Sequence, residues 1–255
     1  MRTTLLTAIS LLLYTVFSMT NRQQMNRLYQ LLMCRYGPQG WWPLHISEEG
    51  EFDRIGYHPE AYDYPTNDRQ RLEICIGAIL TQNTNWKNVV KALLQIGLYD
   101  LLSLEKLFTL PQSELADIIR PVGYCNQKAG YLKNLSRFLL DTPFEELMAM
   151  STGIVRRLLL RVKGIGRETA DCILLYALRK SSFVVDAYTT RVLWQLKLID
   201  TGMHYGKIKH LIESAIDPNL ILYQEYHALL VTHGKRYYSK KPYGNSDPIL
   251  SRMAE

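Results

Sequence analysis

Residues 158–191 read LLLRVKGIGRETADCILLYALRKSSFVVDAYTTR, and this stretch decides the fold. The order is helix, tight glycine turn, helix, short extended run, then an acid opening a further helix. The turn is Val162-Lys163-Gly164-Ile165-Gly166. Two glycines one residue apart permit backbone conformations that a Cβ blocks. They also let a phosphate approach main-chain N–H groups at the start of the next helix, where the dipole favours an anion. Ile165 between them is apolar and anchors the turn in the core. Ala170, Ile173, Leu174 and Ala177 recur at helical spacing and predict one buried face. Arg156, Arg157, Arg161, Lys163 and Arg167 crowd the same hairpin. A Gly-x-Gly turn alone is equally a plain helix connection.

Asp186 follows the apolar run Phe183-Val184-Val185 and precedes a helical stretch from Ala187. It reads as an N-cap, with the carboxylate accepting backbone N–H bonds.

The 255 residues are 47% apolar, enough for a sizeable core and one or two compact domains. The net charge of +6 suits a polyanionic partner. Cys34, Cys75, Cys125 and Cys172 are scattered without metal-ligand spacing, so neither a metal nor a disulfide framework is expected. That cysteine usage fits a reducing cytoplasm.

Thr4 to Phe17 is mostly apolar but short for a membrane span, which needs about 20 residues. No Ala-x-Ala-like cleavage site follows it. Helices are predicted over 26–36, 69–80, 86–94, 104–120, 126–140, 188–196, 204–215 and 220–234, with Asn126 capping one. Thr142-Pro143-Phe144-Glu145 reads as a capping box with Pro at the first helical position. No sustained period-two alternation suggests strands, so the class is all-α. Trp41-Trp42-Pro43 follows the breaker Gly37-Pro38-Gln39-Gly40, and such a pair also serves as apolar plugging of a groove. Thr81-Gln82-Asn83-Thr84 is a polar turn between two helices, where Gln82 is alternatively a turn amide bonding nearby backbone.

Together, VKGIGRETA, Val185-Asp186 and the Gly-aromatic-x-Asn-x-Lys-Ala string at 123–129 resemble the helix–hairpin–helix DNA glycosylases of the endonuclease III superfamily. The resemblance runs from about Leu72 to Gly234. It implies two helical domains: a six-helix barrel over 69–184, with the helix–hairpin–helix at 156–178, and a second domain from 25–68 and 185–255. A DNA- and base-binding cleft lies between them. Residues 1–24 are then an extension or a misassigned start, with Met19 or Met25 the true beginning. The superfamily's Gly/Pro-rich loop before the aspartate is missing, since 179–185 contains neither residue. The tail that carries four cluster cysteines in endonuclease III has no cysteine here, so no iron–sulfur cluster and no other cofactor is expected. Packing of Tyr237, Tyr238 and Tyr243 is expected to hold it instead.

The resemblance also implies the chemistry. Asp186 takes the catalytic place, and Gln82 the place whose side chain fills the gap left by a flipped nucleotide. Lys163, Gly164, Gly166 and Arg167 take the DNA-binding places. The slot of the Schiff-base lysine in bifunctional members holds Glu168, and a carboxylate forms no Schiff base. The glutamate that protonates the base in adenine-mismatch members is matched by Gly77. A substrate that already leaves easily is therefore expected, such as an N3- or N7-alkylated, cationic purine. Trp41, Trp42, Pro43, Trp86 and Glu168 resemble the base pocket of the 3-methyladenine branch; for Glu168 a salt bridge with a nearby Arg is the other reading. The expectation is a monofunctional, monomeric glycosylase acting on damaged double-stranded DNA in the cytoplasm, nucleoid-associated, with no membrane role. The rivals are a bifunctional glycosylase/lyase for oxidised pyrimidines, a non-catalytic hairpin protein that binds DNA, and a membrane-anchored protein.

Overall fold

The computed structural model describes residues 20–45 and 56–254, and no strand occurs among them. The apolar run at 4–17, most of the expected extension and part of the polar, Tyr-rich stretch 47–67, whose composition predicts an irregular loop, lie outside the described residues. No helix among the described residues is long and apolar enough to cross a membrane.

The chain opens with α1 (Asn21–Tyr36), whose Thr20 N-cap and Gln23 form a reciprocal capping box. It starts earlier than apolar periodicity alone indicates, because its first turn is polar. Then come α2 (Asp68–Leu80) and α3 (Trp86–Leu98), capped by Asn67 and Asn85. The expected helix over 104–120 is two, α4 (Leu104–Thr109) and α5 (Gln112–Ile118), because Pro111 cannot continue the first. A 3-10 turn, Arg120–Val122, leads to α6 (Cys125–Asp141). Tyr124, not Asn126, is the N-cap of α6, in a left-handed conformation (φ 48°). α7 (Phe144–Ala149) has Pro143 as N-cap with no side-chain cap bond, so the expected capping box does not form. Thr142 is instead the C-cap of α6.

The hairpin joins α8 (Thr152–Leu159) to α9 (Arg167–Cys172), which continues as a π-helical turn, Ile173–Ala177. Four helices follow: α10 (Ala187–Gln195), α11 (Tyr205–Ala215), α12 (Leu220–Tyr237) and α13 (Pro248–Ala254).

Two groups of contacts organise these helices. α2 packs on α3, α6, α9 and the π turn, and α4 and α5 lie against α6. α1 receives α11, α12 and α13, while α10 lies along α12. The π turn and α12 touch, joining the groups. Thr169 through Leu178 is buried all round, not on one face, because α2 and α12 enclose it from two sides.

The tail is held as expected by Tyr238, which is fully buried, and by Tyr237 and Tyr243 packed against the core, and in addition by a buried polar cluster. Asp247 accepts from Tyr238 Oη (2.6 Å) and from the backbone N–H of Ile249 (2.8 Å), and lies 2.9 Å from His233 Nε2. Arg191 stacks on Tyr243 and donates to the Tyr238 carbonyl (3.0 Å).

Candidate active site

The hairpin turn is built as its glycines require. Gly164 has φ +104°, and a Cβ there would sit 2.2 Å from the Tyr131 ring. Ile165 is buried beneath it. Gly166 N-caps α9 without a side-chain bond and faces open space. Lys163, Arg157, Arg161 and Arg167 are exposed around it. Arg156 is not part of this exposed set: it grips buried Asp171 through Nε (2.8 Å) and Nη2 (3.0 Å). Asp171 also accepts from Ser182 (2.7 Å) and Tyr205 (2.6 Å) and lies 3.4 Å from Lys209 Nζ. Burial raises its carboxyl, but these donors, Arg156 first, bring it below the ordinary value.

Asp186 does cap α10, accepting from Thr189 N at 2.6 Å through Oδ1. Oδ2 has no hydrogen bond among the described residues, so capping occupies only half of the carboxylate. The loop before it lacks glycine, yet Arg179 takes a left-handed conformation there (φ 52°). The Arg179 guanidinium is held by the carbonyls of Tyr62 and Tyr64.

Glu168 makes no ion pair or hydrogen bond among the described residues, so the salt-bridge reading fails. Its carboxyl is pushed up to about 7, by desolvation first and by the charge of Asp186 second. Because Glu168 keeps solvent contact, this desolvation comes from the protein walls around it, not from enclosure.

The indoles divide. Trp42 is 5% exposed, wedged edge-on between Trp41, Trp86 and Tyr176 at centroid distances of 6.0, 5.5 and 5.4 Å. Trp41 and Trp86 are half-buried, so of the three indoles expected in the base pocket two keep partly open rings around a buried third. Pro43 is buried beside them. A Cβ at Gly77 would lie 3.1 Å from Trp42 Nε1. The missing glutamate at 77 thus has a steric cause: the Trp42 indole fills its place.

Two buried carboxylates aim this loop. Glu225 of α12 accepts from Gln39 N (2.8 Å) and Gly40 N (3.3 Å), and Glu73 of α2 accepts from His45 N (2.5 Å). α12 also backs Trp41 with His227, edge-on at 5.8 Å. The His227 Nδ1 pairs with Tyr176 Oη (2.7 Å), and burial lowers the imidazole to about 4. Lys235 Nζ lies over the Trp41 ring, 5.4 Å from its centroid. Desolvation lowers the Lys235 amine, opposed by the charge of Asp186. Gly234 lets α12 lie close against α10, since a Cβ there would be 2.4 Å from Tyr188 Cβ.

Asp186, Glu168, Trp41, Lys235 and His227 therefore share one electrostatic neighbourhood. Gln82 lies at the hairpin, its Nε2 donating to Gly164 O (2.9 Å) and Thr169 Oγ1 (3.1 Å). Sequence reasoning missed Tyr176, Glu225, His227 and the site role of Lys235. Each sits in an ordinary-looking helix, and no local pattern separates such residues from core or surface ones.

This hairpin-plus-aspartate site in an all-α frame matches a known class. Residues 76–218 match the family described as HhH-GPD superfamily base excision DNA repair protein. The chain belongs to that family, within the endonuclease III superfamily. A candidate DNA repair glycosylase of Methanocaldococcus jannaschii is 38% identical over 227 residues, 88% of this chain and 92% of that protein. Among solved structures, the 3-methyladenine DNA glycosylase of H. pylori bound to 1,N6-ethenoadenine superposes with a TM-score of 0.65. It is 26% identical and covers 86% of this chain and 98% of its own. A non-covalent endonuclease III–DNA complex, 18% identical, shares the fold with a TM-score of 0.67, covering 93% and 100%.

Proposed function

We propose that this DNA glycosylase is monofunctional and hydrolyses the N-glycosidic bond of alkylated, cationic purines of the 3-methyladenine kind in duplex DNA. The observation that carries the reading is Lys235: a cation rests on the Trp41 face within the field of Asp186. An indole face beside carboxylates is the environment that favours a cationic base, with cation–π attraction of about 0.5–2 kcal/mol. The H. pylori relative, bound to an adenine adduct, supports the same direction.

In this reading the two helix groups are two domains, 69–184 against 25–68 with 185–255, and the protein acts as a monomer on nucleoid DNA. The backbone of Gly164 and Gly166, with Lys163 and Arg167, holds phosphate. The damaged nucleotide flips out, at a cost of a few kcal/mol that is smallest for damaged bases. Gln82 fills the gap it leaves. Trp41 and Trp86 flank the base, Trp42 and Pro43 floor the pocket, and Glu168 complements the purine's charge. The bond from C1′ to the base breaks with its electron pair moving onto the purine, which leaves neutral. The Asp186 carboxylate faces the oxocarbenium-like sugar and orients the water, whose oxygen bonds to C1′ as one O–H bond breaks and its proton passes to the carboxylate. In the same reading the tail carries no cluster, a view supported by the Asp247–Tyr238–His233 contacts within it.

The deciding experiment is chromatography of bases released from methylated DNA. Release of 3-methyladenine or 7-methylguanine is expected, and release of neither overturns the substrate assignment. A second reading, glycosylase/lyase, has one observation in its favour: the lowered Lys235 amine near Asp186. Borohydride is expected to trap no enzyme–DNA adduct. An adduct that disappears in Lys235→Gln would establish the lyase instead.

A further inference from the structure

We propose that Lys128 is a positioning residue for the Gln82 corner, a buried ammonium that sets where the wedge stands above the hairpin without touching DNA. The proposal rests on the reading of Gln82 as the gap-filling side chain.

Lys128 is a lysine in a basic protein, yet it is only 3% exposed and so is not part of the DNA-facing charge. Its Nζ donates to Leu80 O (2.8 Å), Thr84 Oγ1 (2.6 Å) and Val122 O (3.2 Å). Those acceptors come from the last residue of α2, the corner itself and the 3-10 turn before α6. The Thr84 hydroxyl in turn donates to Val122 O at 2.6 Å. Three N–H groups thus meet three acceptors, all uncharged, and no carboxylate pairs with Lys128 among the described residues. A buried charge without a counter-charge is unfavourable unless hydrogen bonds satisfy it. An apolar side chain of this length would fill the space without that penalty, so what the ammonium adds is the three bonds. They gather the end of α2, where the helix dipole is negative, onto the turn that opens α6.

On the other side of the corner, Gln82 Nε2 reaches the hairpin at Gly164 O and Thr169 Oγ1. Between these anchors, Asn83 takes a left-handed conformation (φ 51°). The corner is therefore suspended between a buried lysine and the phosphate-binding turn. Lys128 acts on DNA through Gln82.

The test uses the full chain and a duplex carrying a tetrahydrofuran abasic analogue flanked by 2-aminopurine, whose fluorescence rises when the wedge enters the stack. Lys128→Met and Gln82→Ala are each expected to reduce the association constant for the fluorescent state by about ten-fold, the scale of one charge-assisted hydrogen bond. The double variant should be no weaker than the weaker single one. For Lys128→Met, affinity for undamaged duplex should stay within about two-fold, as it depends on the hairpin. Desolvation lowers the Lys128 amine to about 8, and the neutral amine has two N–H groups for three acceptors. The wild-type advantage over Lys128→Met should accordingly shrink as pH rises from 7 to 9.

If Gln82→Ala is impaired while folded Lys128→Met equals wild type, the proposal fails alone. Multiplying effects in the double variant also overturn it. If Gln82→Ala equals wild type, the wedge reading fails and the proposal with it. Should Lys128→Met not fold, Thr84→Val removes one acceptor with little change of shape. It is expected to lose wedge insertion in the same direction, and wild-type insertion would overturn the proposal.

Discussion

The second helix of the hairpin carries two acids with opposite fates. Asp171 is buried, gripped by Arg156, Ser182 and Tyr205, and lowered below its ordinary value. Glu168, one turn earlier, has no partner among the described residues and is raised to about 7 beside Asp186. The difference separates architecture from chemistry. Where every lone pair is satisfied, the acid ties helices together. Where pairing is withheld, the protein keeps a carboxyl ready for something that is not protein.

The contrast breaks most visibly at the paired acid. Asp171→Ala leaves Arg156 without its carboxylate, while Lys209 keeps Glu213 at 2.8 Å, and removing one member of a buried pair costs about 3–5 kcal/mol. Thermal unfolding should show that loss, while excision per folded molecule stays close to wild type. Asp186→Asn should behave in the opposite way. Excision is expected to fall at least about 10²–10³-fold, as when a preorganised electrostatic partner is removed. DNA binding should be largely kept, and unimpaired excision would end the catalytic assignment.

The indole cluster gives a smaller effect. Gly77→Ala pushes a methyl toward Trp42 Nε1 and should destabilise by about 1–3 kcal/mol, measured by denaturant unfolding. Wild-type stability would mean that Trp42 has room to move. The smallest effect belongs to Glu168. As pH falls through about 7 this carboxyl gains a proton and loses its charge. KM for methylated duplex should rise about two- to five-fold from pH 8 to 6, the scale of an exposed ion pair, and Glu168→Gln should flatten that limb. The same shift acts on stability with the opposite sign. The folded state holds this proton after the unfolded chain has released it, so the Glu168 contribution declines as pH rises from about 4.5 to about 7.

Much of this was legible in the chain. The Gly164-Ile165-Gly166 turn is read locally because only glycine accepts φ +104° against a tyrosine ring. Asp186 as the start of α10 follows from short-range capping chemistry. The break at Pro111 is legible in the chain, since proline cannot continue a helix, whereas the missing box at Thr142 is not, because competing caps win by margins that pattern alone does not rank. The loop before Asp186 has the same lesson in reverse: Arg179 supplies the left-handed turn without glycine, since two distant carbonyls from 62 and 64 hold its side chain.

By itself the order of residues determined the helical class, the hairpin, the aspartate beside it and the absence of a lysine at 168, all properties of neighbours along the chain. Tertiary structure alone decided which tryptophan is buried and which two stay partly open, what a side chain at 77 would meet, that Arg156 serves Asp171, and that Lys235 and His227 of α12 meet Trp41. The physical reason is range. Turns and caps are settled within a few residues, whereas burial and charge depend on which distant surfaces the core brings together.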